Sequence, residues 1–103
     1  MKRRYDGKPF LELLDCYVLD AIGVLDEETD ARLTQYEPHY RLMFGIAGPW
    51  RTIVEKRMNF PAGMAGAIRE MWEKGRPRYI AQTGFEPNPN EFAMQFIDTK
   101  FPH

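Results

Sequence analysis

The feature that most constrains this chain is the stretch 9–24, PFLELLDCYVLDAIGV, which carries apolar residues in helical register. The side chains that recur at the spacing of one helical face are Phe10, Leu14, Tyr17, Val18, Ala21 and Ile22. Four further apolar residues widen this face, so only Glu12, Asp15 and Asp20 are left to face water. A helix this apolar needs partners on more than one side. We therefore predict that it is the central helix of a small bundle and that Tyr17, Val18, Ala21 and Ile22 are almost fully buried.

Helix signals recur along the rest of the chain. Pro9 suits a first helical position and Gly23 suits the residue just after a helix end. Further helices are expected over residues 27–44, 49–58, 61–74 and 89–100. In the first of these, Pro38 either kinks one continuous helix, which the unbroken apolar stripe favours, or separates two helices near Gln35. Residues 78–82 have room for one short extended segment, although a lone strand would have no partner in this chain.

These elements predict an all-α fold, a single-domain bundle of about five helices around the central apolar N-terminal helix. Residues 9–103 form that domain, and residues 1–8 form a basic flexible arm. At 103 residues the chain has room for one core. No second domain, internal repeat or low-complexity tract is visible.

Bulk composition limits the environment and the partners. The chain has 14 Lys and Arg against 15 Asp and Glu. Its net charge of −1 therefore gives no general attraction to nucleic acid or to an anionic membrane. The lone Cys16 excludes an intrachain disulfide and fits a reducing compartment. Apolar tracts are interrupted by Asp15 and Asp20, short of the roughly 20 residues that cross a bilayer. We expect a cytoplasmic protein with no membrane contact.

No motif specifies a reaction, so we expect a binding protein rather than an enzyme. The chain has no serine and two histidines, His39 and the terminal His103, which leaves no catalytic triad. The carboxylates of the central helix lack the Glu-x-x-His pattern of di-iron bundles. No glycine-rich phosphate loop is present. We therefore assign no catalytic residue, no metal ligand and no cofactor.

One candidate ligand site surrounds the predicted break at Pro38. His39 is flanked by Tyr36 and Tyr40, and a histidine at such a position can act as a proton carrier or a ligand anchor. Helical spacing places Tyr36 and Tyr40 on one face and turns His39 about 100° from Tyr40. A pocket at Tyr36, His39 and Tyr40 would make the protein a small-molecule binder or minor enzyme. The alternative is an ordinary surface histidine.

Charge is segregated along the chain. Residues 10–40 hold eight acids and one base, whereas residues 41–80 hold eight bases and three acids. This pattern either helps two halves of the bundle to dock or leaves oppositely charged faces for partners. A nucleic-acid-associated protein would use the basic stretch 51–78, with Trp50 or Tyr79 for base stacking, and its bases would have to share one exposed face.

Our main hypothesis is a small cytoplasmic protein-interaction module: an accessory subunit, an inhibitor or a homodimeric binding protein. Seven Phe, five Tyr, two Trp and six Met exceed what a domain of this size buries, so some must stay near the surface. The residues predicted to contribute to an interaction surface are Trp50, Arg51, Lys56, Arg57, Phe92, Phe96 and Phe101. We expect a homodimer whose interface draws on the last helix or on Trp50, and whose association weakens as salt is raised.

Overall fold

The structure, a computed structural model, describes residues 4–101. Within that range it contains six α-helices and no strand: α1 (Pro9–Ala21), α2 (Glu27–Gln35), α3 (Glu37–Phe44), α4 (Trp50–Met58), α5 (Met64–Thr83) and α6 (Pro89–Lys100). The predicted all-α fold is confirmed, and the helix count is close to the predicted five. Among the helices of residues 4–101, none has both the length and the apolar character needed to span a bilayer.

Helix α1 lies at the centre and packs on α4, α5 and α6. Tyr17, Val18, Ala21 and Ile22 are each exposed by 9% or less, as predicted. The end of the helix is also as the sequence indicates. Gly23 adopts φ 81°, and the Val24 N–H donates to the Leu19 carbonyl at 2.9 Å, which is the Schellman arrangement.

The proline at position 38 separates two helices. α2 ends at Gln35, Tyr36 leaves helical geometry with φ −90° and ψ 2°, and α3 begins at Glu37. The favoured kink in one continuous helix is thus replaced by the alternative of two helices. Pro38 lies in the first turn of α3, where its missing N–H removes no hydrogen bond.

The predicted end of the fourth helix at residues 74–75 and the extended segment at 78–82 are wrong. Helix α5 continues through Gly75 and Pro77 to Thr83 and ends at Gly84, whose φ is 77°. Pro77 deprives the Glu73 carbonyl of its usual donor, but this turn is exposed and water can replace it. The turn beyond the helix is tied back by Arg76, which binds Glu86 through two hydrogen bonds of 2.7 Å each.

Asp15 does not face water as predicted. Its carboxylate is 1% exposed and accepts hydrogen bonds from the Arg4 Nε at 2.6 Å and the Tyr5 hydroxyl at 2.7 Å. The Arg4 guanidinium also contacts Asp98 on α6 at 2.9 Å. The N-terminal arm thus contacts the bundle at Arg4 and Tyr5, while residues 1–3 and 102–103 lie outside the described residues.

Trp50 and Phe96 were predicted near the surface and are buried, with exposures of 0% and 8%. The Trp50 indole Nε1 donates to Asp30 at 3.1 Å, and its backbone N–H donates to the Glu37 side chain at 2.9 Å. Hydrogen bonds to carboxylates of α2 and α3 therefore stabilise the buried position of Trp50, the first residue of α4. Phe96 lies on the face of α6 that packs on α1.

Oppositely charged residues from the two segregated segments pair with each other within the chain. Arg51 on α4 binds Asp20 of α1 at 2.7 Å and Asp30 of α2 at 3.0 Å. Its guanidinium also lies 4.5 Å from the centroid of the Trp50 ring. These carboxylates raise the pKa of Arg51, and Arg51 lowers the pKa of Asp30. The acidic N-terminal helices and the basic α4 thus dock on each other.

Candidate functional site

The second half of α5 extends away from the bundle. Of the twenty residues in α5 (Met64–Thr83), only Ile68 is buried. Met71 and Tyr79 are 45% and 43% exposed, and Phe85 in the following turn is 73% exposed. The radius of gyration is 14.4 Å, compared with about 13 Å for a compact domain of 100 residues. We call residues 71–88, which carry this exposed apolar surface, the tip.

A groove of about 180 Å³ lies between the tip and the start of α6. Its lining residues are Met71, Trp72, Gly75, Arg76, Tyr79, Pro87, Asn88, Glu91, Phe92 and Gln95. The rings of Trp72 and Phe92 form one wall, with centroids 5.1 Å apart and planes inclined by 58°. Phe92 is held in place because the Asn88 side chain caps α6, accepting from the N–H groups of Asn90 and Glu91.

The turn that closes the tip is held by a network of hydrogen bonds. Arg76 and Glu86 form a two-point ion pair, which raises the pKa of Arg76 and lowers the pKa of Glu86. The Thr83 hydroxyl donates to the Tyr79 carbonyl at 2.8 Å and accepts from the Phe85 N–H at 3.2 Å. Hydrogen bonds therefore fix the backbone before and after Phe85, while its ring remains exposed.

The structure brings the three predicted ligand-binding residues together. Tyr36, His39 and Tyr40 line a second cavity, of about 390 Å³, that shares no lining residue with the groove at the tip. Its other lining residues are Tyr5, Pro9, Glu12, Arg32 and Met43. The ring of Tyr40 lies 6.5 Å from that of Tyr36 and 6.1 Å from that of His39.

The side chains of this second cavity differ in exposure. Tyr36 is 50% exposed, whereas Tyr40 is buried, and burial raises the pKa of the Tyr40 hydroxyl. Two of the other lining residues, Arg32 and Glu12, form an ion pair of 2.8 Å. The cavity therefore combines three neighbouring rings, inclined to one another by 53° and 54°, with one positive and one negative group.

The predicted interaction residues do not form one surface. Trp50 and Phe96 are buried, and Arg51 binds carboxylates of its own chain. Lys56 is exposed on α4, and the guanidinium of Arg57 lies 4.8 Å from the ring centroids of both Phe10 and Phe44. Of these residues, only Phe92 lines the groove; the ring centroid of Phe101 lies 5.5 Å from that of Phe60.

Several basic residues of the stretch 51–78 form ion pairs within the chain, as Arg51 does. Arg69 binds Glu73, Lys74 binds Glu70, and Arg76 binds Glu86. These cations, like Arg51, are paired with carboxylates of the same chain and lie on two helices, whereas a nucleic-acid site requires positive charge on a single face.

Sequence reasoning did not identify the tip. Lys74 and Gly75 suggested the end of a helix, which placed Tyr79 and Phe85 in an irregular segment. The usable signal was the spacing, since Tyr79 and Ile80 follow Trp72 at i+7 and i+8 and thus share its helical face. The partial exposure of that face depends on the packing of other helices and has no sequence signature.

Within residues 4–101, no group of three or more His, Cys, Asp and Glu side chains is arranged to hold a metal ion. The chain matches no protein-family model, no curated protein and no solved structure.

Proposed function

We propose that this protein is a small interaction module that associates with a second copy of itself through the tip. The observation that carries the proposal is the state of α5, a 20-residue helix (Met64–Thr83) in which only Ile68 is buried. Most helical stability in proteins comes from packing of an apolar face, and the outer half of α5 has such a face without a covering element.

The composition of α5 strengthens this argument. Relative to alanine, Gly66 and Gly75 each weaken a helix by about 1 kcal/mol, and Pro77 by about 3 kcal/mol. The ion pairs on its exposed side each return a few tenths of a kcal/mol. A helix of this composition gains from a partner that covers Met71, Trp72 and Tyr79.

Charge favours a second copy as that partner. Residues 69–86 carry four bases and three acids, and three ion pairs join them within the subunit. Two copies of the tip can therefore approach without strong repulsion. An acidic or basic partner would find little net charge to complement.

The test is the mass of the protein in solution. Light scattering with size-exclusion chromatography, over a range of concentrations up to about 1 mM, should show the mass rising from one subunit to two. Because Arg51, Asp20 and Asp30 pair inside the subunit, we now expect added salt to leave association unchanged rather than to weaken it. A mass of one subunit at every concentration would refute the proposal.

A second candidate function is favoured by the cavity at Tyr36, His39 and Tyr40. We propose that its rings and its Arg32–Glu12 pair suit a small aromatic or zwitterionic molecule, in keeping with concave sites that combine apolar walls with a few polar groups. Fragment screening by NMR should shift His39 and Tyr36 resonances, and Tyr36→Ala should abolish the shift of the His39 resonance. Shifts confined to other residues would exclude this site.

A further inference from the structure

The tip presents both a ring-shaped projection and a ring-sized recess. Phe85 projects, with 73% of its surface exposed, which is the largest exposure among the described aromatic side chains. The groove beside it measures about 180 Å³, and a buried cavity of about 150 Å³ is large enough to hold benzene. Its walls of Trp72, Tyr79 and Phe92 offer ring faces and edges for an aromatic guest.

From this pairing we propose that two copies of the chain associate by reciprocal insertion, each placing its Phe85 ring into the other's groove, against the wall that Trp72 and Phe92 form. This inference rests on the self-association proposed above and identifies its contacts. A two-fold axis requires that the same patch carry both complementary features, and the tip does so.

Hydrogen bonds within the chain already fix the backbone around Phe85. Its N–H donates to the Thr83 hydroxyl. The following residue, Glu86, accepts hydrogen bonds from Arg76, and the N–H of the preceding residue, Gly84, donates to the Ile80 carbonyl at 2.8 Å. An anchor residue whose backbone is already fixed loses little conformational freedom on binding. Exposed aromatic anchors that enter a desolvated pocket are the residues that dominate interface energies.

The buried area fits a weak, reversible dimer. The exposed part of Phe85 amounts to about 150 Å² and covers a similar area of groove wall. Because Met71 and Tyr79 belong to the groove wall, two insertions bury at most about 600 Å² in total. That value lies below the range of stable specific interfaces, so the dissociation constant should be high micromolar or weaker.

Two single variants separate the projection from the recess. Phe85→Ala removes the ring and leaves the groove. Gly75→Leu fills the groove and leaves the ring, and a Cβ at Gly75 meets no heavy atom within 4 Å, so this helical position accepts a side chain. Leu42→Ala is the matched control, because Leu42 is 87% exposed on α3, outside the tip.

Each tip variant should raise the dissociation constant of its homodimer at least about tenfold in sedimentation equilibrium, while Leu42→Ala leaves it unchanged. Phe85→Tyr keeps the ring and should retain association. The decisive measurement mixes the two defective variants. A heterodimer of Phe85→Ala with Gly75→Leu keeps one complete insertion, whereas neither homodimer keeps any, so differently labelled variants should associate more tightly with each other than with themselves.

The outcomes are distinguishable. A wild-type protein that stays monomeric refutes both self-association and insertion. A wild-type dimer that tolerates Phe85→Ala or Gly75→Leu, or a mixture that associates no better than its components, refutes insertion and leaves self-association standing. Circular dichroism of each variant checks folding, and both substitutions lie at exposed positions.

Discussion

The buried carboxylate of Asp15 provides the sharpest test of how the N-terminal segment is held. It accepts hydrogen bonds from the Arg4 Nε at 2.6 Å, the Arg4 Nη2 at 3.1 Å and the Tyr5 hydroxyl at 2.7 Å. Asp15→Asn keeps the shape of the side chain, removes its charge and converts one acceptor oxygen into a donor. Arg4 then keeps only Asp98, whose side chain is 48% exposed.

The size of the effect follows from these contacts. A hydrogen bond to a charged group contributes roughly 1.5–3 kcal/mol, and breaking a buried ion pair costs about 3–5 kcal/mol. Arg4 is 22% exposed and retains a second carboxylate, so the lower part of this range applies. We expect Asp15→Asn to lower the free energy of unfolding by about 2–3 kcal/mol, which corresponds to a fall in Tm of about 8–24 °C for a domain of this size.

The assay is urea and thermal denaturation followed by circular dichroism. Asp98→Asn is the matched control, because it removes the other carboxylate of the same arginine at an exposed position and should cost about 0–1 kcal/mol. If Asp15→Asn and wild type unfold within about 0.5 kcal/mol of each other, the Arg4 and Tyr5 contacts do not hold the segment and the reasoning fails.

Two further predictions concern Cys16 and Pro77. Burial raises the pKa of the Cys16 thiol to about 12, above its value in the unfolded chain, so the stability it contributes is complete below about pH 8.5 and is lost as pH rises toward 12. The urea midpoint should fall over that window, less so in Cys16→Ala; equal slopes would contradict the prediction. Pro77→Ala restores a donor to the Glu73 carbonyl and should slow amide hydrogen exchange across residues 76–83. Unchanged exchange would show that the proline does not weaken this turn.

The parts of the fold that could be predicted from sequence are those set by local periodicity. Helix α1 and its glycine-terminated end follow from apolar spacing and backbone preference within a few residues. The grouping of Tyr36, His39 and Tyr40 is equally local, since the three lie within about one turn. Short-range geometry decides these features, so they can be predicted without knowing the contacts with distant parts of the chain.

The failures share a different cause, which is dependence on distant partners. Asp15 is polar in sequence and buried in the fold because Arg4, eleven residues away, neutralises it. Trp50 is buried because carboxylates of α2 and α3 receive its two N–H groups. The groove at the tip needs α5 to pass through Gly75 and Pro77, where local signals favour a helix end, and its walls come from two helices.

The start of α4 has a consequence for how the domain unfolds. Pro49 offers no capping side chain, and the first amide of α4 is instead bound by Glu37, which belongs to α3. Helix α4 is thus completed by a group that is present only when α3 is already docked. Residues 27–58 should therefore open as one cooperative unit, in which the amides of α2, α3 and α4 gain and lose protection from hydrogen exchange together. A fragment that begins at Pro49 should not form α4 on its own.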